Sequence, residues 1–280
     1  MPQLHDILQR LHDKHGARVS VAAELEWYLR PIGTTEPWEA KYTQIQAYFS
    51  ALYDACASSG IELHSHDEEE GAGQVEVALP PTAQPTELVA ALISIKKLAQ
   101  DVAEDKELLA DFSAKPYVDD YGSGLHIHVH LEDEAGNNLY WKRDDEMSDA
   151  LKYSLAGMLH TIPEHMNIYA PDEQSWQRFE PKYNAPVNPS WGTNNRTVAL
   201  RLPDAVTADK RGVEDIAAMP FNRGRRIEHR VAGADADGEA VILSVLQGIE
   251  YGLNKKPSLA EPIYGDASDN QYNLKTFQKD

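Results

Sequence analysis

The run Gly122-Ser123-Gly124-Leu125-His126-Ile127-His128-Val129-His130 alternates imidazole with aliphatic side chains, and a strand is the element that separates such a set onto two faces. Leu125, Ile127 and Val129 require a core beneath them, so the three histidines share the opposite face. The same period of two recurs in Val21-Ala22-Ala23-Glu24-Leu25-Glu26-Trp27-Tyr28-Leu29, where β-branched and aromatic residues favour a strand that aims Glu24 and Glu26 together. Arg226, Glu228 and Arg230 alternate in the same way. A further carboxylate pair, Glu68 and Glu76, flanks Glu70-Gly71-Ala72-Gly73-Gln74, whose glycines let the backbone turn tightly.

Carboxylates gathered in a buried place repel one another and need a cation, protonation or arginine partners. Glu24, Glu26, Glu68, Glu76, His126 and Glu228 have the spacings of a two-metal site. An oxygen-rich set with one imidazole suits magnesium or manganese better than zinc. The segments Asn194 to Arg201 and Arg225 to Arg230 read as strand-like and set guanidinium groups beside a carboxylate; such groups match phosphate oxygens in a bidentate fork. Each feature alone has a plainer reading. Glu24 with Glu26 could be a solvated strand face, Asp67-Glu68-Glu69-Glu70 a charged loop, the arginines a salt-bridge network, and His130 a residue without a metal role. Together they point to phosphoryl transfer.

The 280 residues and their 42% apolar content suffice for a sizeable core, and a single domain over residues 1–280 is expected, with its core at about 20–252 and a polar tail at 253–280. A formal charge of -19 repels a nucleic-acid backbone, so nucleic acid is not an expected partner. No secretory signal and no bilayer-spanning apolar run is visible, which favours a cytoplasmic protein without a membrane partner. Cys56 has no second thiol to pair with, and its helical spacing from Phe49 and Leu52 reads as a buried small apolar group.

Apolar spacing predicts a short helix over Leu4 to Leu11 that stops at Gly16, and a second starting near Pro37 and ending at Ser58-Ser59-Gly60. A third helix is capped by Thr86, a fourth runs from about Ser148 to Pro163, and a last covers about Glu239 to Tyr251 before Gly252. Strand segments are expected at Ile61 to His66 and Gln74 to Leu79. The stretch from Asp204 to Gly224 reads as a surface insertion or lid, and the tail as loosely packed or docked on a partner.

The segments Glu24-Leu25-Glu26, Glu68 with Ala72 to Glu76, Gly122 to His128, Asn184-Ala185-Pro186-Val187, Asn195-Arg196 through Arg201-Leu202-Pro203, and Arg226 to Arg230 resemble, in order, the catalytic domain of glutamine synthetase. The resemblance implies an α+β fold, a curved and mainly antiparallel sheet with helices packed outside. It implies that Glu24, Glu68 and Glu76 hold a metal near the glutamate substrate, and that Glu26, His126 and Glu228 hold one near the nucleotide phosphates. Arg196 and Arg226 would face the transferred phosphoryl group and, with the flap residue Asn184, form the catalytic set. Arg201 would meet the nucleotide phosphates and His128 would lie beside the nucleotide, while Gly122, Arg178 and Arg230 would bind the amino acid.

The activity so implied is an ATP-dependent carboxylate-amine ligase with two or more Mg2+ or Mn2+ sites. Its partners would be ATP, glutamate or a similar acid, and ammonia or a small amine, in a homo-oligomer. The chain departs from the family pattern mainly on the amine and amino-acid side. Asn184 stands where a flap glutamate is usual, Tyr121 replaces an asparagine, and His130 replaces a smaller residue. Only 23 residues precede Glu24, so the family's small amino-terminal β-rich domain is expected to be absent. Altered amine specificity is therefore expected. Two alternatives are a non-catalytic nucleotide- or amino-acid-binding regulator and a kinase that releases its phosphorylated product.

Overall fold

The computed structural model describes residues 2–142, 147–203 and 224–279. The expected insertion or lid thus falls, apart from Gly224, outside the described residues.

The chain opens with helix α1 (Pro2–His15), whose Leu4, Ile7 and Leu11 are buried, and Gly16 ends it in the left-handed region at φ 60. Strand β1 (Arg18–Pro31) follows, then α2 (Tyr42–Ser58), β2 (Ser65–Glu68), β3 (Gln74–Thr82), α3 (Pro85–Glu104), β4 (Leu108–Asp111) and β5 (Leu125–Glu132). Helix α4 (Asp149–Thr161) leads through the single-turn helices α5 (Met166–Tyr169) and α6 (Glu173–Trp176) to β6 (Trp191–Thr193), β7 (Leu200–Leu202), β8 (Ile227–His229) and α7 (Gly238–Lys255).

The strands form one eight-stranded sheet in the order β2-β3-β1-β5-β8-β7-β6, with β4 added alongside β1. The β6–β7 pair is parallel and the other pairs are antiparallel. This matches the mainly antiparallel α+β architecture read from the sequence. Strand alternation decides which side is dry: Leu25, Trp27, Leu125, Ile127 and Val129 join one hydrophobic cluster with α1, α2, α3 and α7. Burying that face supplies the main favourable term in folding. Glu24, Glu26, His126 and His128 are left on the other face. Among the described residues, no helix is long and apolar enough to cross a membrane.

Several boundaries differ from the sequence reading for local reasons. Helix α2 starts at Tyr42 rather than near Pro37; the Gln44 side-chain oxygen accepts from the Lys41 N–H at 3.0 Å and closes its first turn. Gln84, not Thr86, takes the cap position of α3, since Pro85 fills the first turn, where a missing N–H costs nothing. Gly252 does not end α7. The helix continues to Lys255, because Gly252 serves close packing on α4 instead. Segment 194–199 is a turn between β6 and β7, so Arg196 sits on a loop and Arg201 on a strand.

The tail is also more firmly placed than expected. Ile263 N–H donates to the Trp191 carbonyl, Phe277 N–H donates to the Val187 carbonyl, and Ile263 and Ala267 are buried against Val198.

Candidate active site

Cross-strand register builds the site. Glu26 lies opposite Glu76 on β3, Glu24 opposite His126 on β5, and His128 and Arg201 each opposite Glu228 on β8. Residues far apart in sequence thereby meet along one sheet face. Like charges directly opposite are destabilising, so the Glu26–Glu76 pair needs an external reason to persist.

The face floors a cavity of about 640 Å³. Among the described residues its lining holds eight carboxylates and four guanidinium groups, a formal excess of four negative charges, which two divalent cations would balance. The Nδ1 of His126 lies 3.5 Å from Glu24, 3.7 Å from Glu26 and 3.8 Å from Glu228. Neither of its ring nitrogens has a hydrogen-bond partner, although both are buried. The Nε2 of His128 is 3.0 Å from Glu24. Two sets, Glu24 with Glu76 and His126, and Glu24 with His128 and Glu228, each offer ligand atoms within 4.8 Å of one another. Oxygen-rich donors with imidazole, orphaned ring nitrogens and surplus negative charge fit divalent cations.

The electrostatics agree. Burial, then the charges of Glu24 and Glu26, push the Glu76 carboxyl far above its ordinary range. Burial and the Glu26 charge raise Glu69 to about 7. Burial also works to raise Glu24 and Glu228. At Glu24 the imidazoles of His126 and His128 outweigh it, and at Glu228 the charges of Arg230 and the two histidines do; both acids stay below the usual carboxylate range. Glu228, wholly buried, accepts hydrogen bonds from Arg201 Nη1 at 2.7 Å and from Arg230 Nη1.

The expected metal ligands therefore regroup. Glu24, Glu76, His126 and Glu228 fall in the two tight sets, which His128 joins. Glu26 lines the cavity, but its Oε2 accepts from Gly124 N–H at 2.7 Å and from Gln74 Nε2 at 3.4 Å. Glu68, exposed at the end of β2, lines the cavity outside both sets.

Among the arginines, Arg196 is exposed on the lining and its charge faces Glu69. Arg226 does not line the cavity; its Nε donates to His128 Nδ1 at 2.9 Å. Arg178 is buried, and its two terminal nitrogens donate to the carbonyls of Val231 and Arg230 at 3.0 and 3.2 Å. Gly122 lies against it, and a Cβ there would meet Arg178 Cγ at 2.7 Å. Asn184, in the left-handed region at φ 57, reaches the lining together with Tyr183 and Ala185. His130 bonds Glu132 at 2.8 Å and lies outside the cavity lining.

Sequence reasoning did not single out Glu69 or Tyr183. Glu69 stands just past the end of β2, where strand alternation no longer predicts which way a side chain points.

Comparison with known proteins adds independent findings. The family model for the glutamine synthetase catalytic domain matches residues 3–278. The chain is 36% identical to gamma-glutamylputrescine synthetase PuuA of Escherichia coli (strain K12), over 94% of its own length and 57% of that protein. It is 31% identical to glutamate–isopropylamine ligase of a Pseudomonas species, over 75% of its own length and 42% of that protein. The chain thus spans 57% of the first of these relatives and less than half of the second. Among solved structures, one titled as GmaS without ligand superposes with a TM-score of 0.80 at 19% identity, covering 99% of this chain and 63% of that one. A novel glutamine synthase homolog superposes at 0.78 with 23% identity, covering 92% and 60%. At these identities the likeness of structure concerns the fold.

Proposed function

The chain belongs to the glutamine synthetase catalytic-domain family, and from that premise we propose that it is an ATP-dependent carboxylate-amine ligase that forms a γ-glutamyl amide with an amine other than ammonia. The observation that carries this reading is one cavity in which a carboxylate-imidazole set, Glu24 with Glu76 and His126, meets guanidinium groups. Two relatives named for putrescine and isopropylamine support the choice of amine.

The reaction has two displacements. A γ-carboxylate oxygen of glutamate attacks the terminal phosphorus of ATP, and ADP leaves. The neutral amine nitrogen then attacks the acyl carbon; the carbon-oxygen bond breaks, phosphate departs, and the surplus proton passes to that phosphate or to a carboxylate of the cavity lining. Glu24, Glu76 and His126 would hold one Mg2+ or Mn2+, and Glu24 and Glu228 would contribute oxygens to a second. Bound there, the ions would neutralise phosphate charge as Lewis acids.

The chain's own residues position and exclude. Arg196, exposed on the lining, would meet the moving phosphoryl oxygens. Arg201 and Arg230 hold Glu228 ionised and oriented. Arg226 fixes His128 through Nδ1, so the other ring nitrogen faces Glu24. Segment 181–186 borders the cavity with Tyr183, Asn184 and Ala185, and its closure would keep water from the acyl phosphate.

The test is phosphate release from ATP with glutamate, Mg2+ or Mn2+ and a panel of amines, with the amide identified by mass spectrometry. The expected result is release that requires both acid and amine and favours an organic amine over ammonia. Nucleotide binding without turnover across the panel contradicts the proposal and favours a regulatory binder.

A further inference from the structure

The geometry points to an apolar amine subsite formed by the ring of Tyr121 braced by Tyr183, against which the hydrocarbon part of a primary alkylamine packs. This rests on the ligase reading and specifies the substrate class.

The cavity lining is uneven in charge. Carboxylates and guanidinium groups cover most of it, but Tyr121, Gly122, Tyr183, Asn184 and Ala185, from two short segments, form a corner without formal charge. Tyr121 is half-buried there, and the fully packed Tyr183 meets it edge to face, with ring centroids 5.4 Å apart and planes at 66°. Such a contact stiffens both rings. An ammonium ion gains little from a corner without carboxylates, whereas a carbon chain loses its hydration against the ring.

The corner is preorganised. Tyr121 N–H donates to Asp120 Oδ1 at 2.8 Å, and its carbonyl accepts from the Tyr28 hydroxyl at 2.8 Å. Asp120 Oδ2 accepts from Ala72 N–H at 3.1 Å, tying this loop to the glycine turn between Glu68 and Glu76. Lys115, buried, sits over the Tyr183 ring at 3.8 Å, and Lys182 bonds the Tyr183 hydroxyl at 2.8 Å. The corner also adjoins the reacting groups: the Gly122 carbonyl accepts from Gln74 Nε2 at 3.1 Å, and the same nitrogen reaches Glu26 at 3.4 Å. An amine nitrogen directed toward the carboxylate cluster therefore leaves its substituent beside Tyr121.

The experiment is a chain-length series, methylamine to n-butylamine, at saturating ATP and glutamate, in the parent chain and in Tyr121→Ala and Tyr121→Phe. In the parent, kcat/KM should rise about fourfold per methylene, the scale of burying one such group. Tyr121→Ala should flatten the series, lowering kcat/KM far more for n-butylamine than for methylamine, and Tyr121→Phe should preserve the slope. A flat series in the parent, or an unchanged slope in Tyr121→Ala, overturns the subsite. A parent chain that forms no amide with any amine overturns the ligase reading instead. In that case calorimetric titration with n-butylamine and methylamine decides the subsite. Tighter n-butylamine binding that is lost in Tyr121→Ala supports it, and equal affinities overturn it.

Discussion

At the scale of single residues, the site is held by opposing charges rather than by packing. Glu228 is wholly buried and stays ionised because Arg201 and Arg230 both donate to it. Removing one member of such a group strands the others, so Glu228→Gln should lower thermal stability by about 3 kcal/mol and reduce phosphate release more than ~100-fold. Calorimetric melting and the coupled phosphate assay read the two effects separately. Glu69 and Glu76 give a pH signature. Both bind their protons more tightly folded than unfolded, Glu69 up to about 7 against an ordinary 4.5, so their effect on apo stability turns unfavourable as pH rises through that window. Divalent ions would take the place of those protons. The rise in Tm on adding Mg2+ or Mn2+ should therefore grow between pH 4.5 and 7, and a shift that shrinks with rising pH would contradict the assignment. The period of two made Glu24, Glu26, His126 and Glu228 legible in sequence. It could not place Glu69 or Arg196, which sit on turns where side-chain direction depends on backbone dihedrals.

At the scale of elements, α4 and α7 cross at a contact that excludes side chains. A Cβ on Gly252 would meet the Tyr153 carbonyl oxygen at 1.9 Å, and one on Gly248 or Gly157 would meet the opposite helix at under 3 Å. Gly252→Ala should therefore cost about 1–3 kcal/mol, lowering Tm by several degrees, as overpacking does. Gly224→Ala meets nothing within 4 Å and should leave Tm unchanged. Differential scanning calorimetry of the two variants checks this. The sequence reading took Gly252 for a helix stop, because locally a glycine after an apolar run looks the same whether it caps a helix or admits a neighbour. The opening helix, β1, β5 and the start of α4 near Ser148 were legible, since each is fixed by local periodicity or by one side chain bonding its own turn.

At the scale of the whole molecule, no short segment contains the site. Carboxylates of β3 and β1 reach imidazoles of β5 and the Glu228 and Arg201 of β8 and β7 only because these strands are consecutive neighbours in the sheet. That neighbour order crosses long stretches of sequence, and local periodicity does not encode it; the resemblance to a known catalytic domain supplied the convergence that the pattern alone could not. The fold places a surplus of four negative charges in one cavity, a costly arrangement that divalent cations and a triphosphate with its arginines would resolve. The uncharged corner at Tyr121 then separates the amine side from the phosphate side. The central claim is that a glutamate carboxylate oxygen attacks the terminal phosphorus of ATP within this cavity. Glutamate labelled with oxygen-18 in its γ-carboxylate tests it most directly: during amide formation the account predicts one labelled oxygen in each phosphate released, and unlabelled phosphate would contradict it.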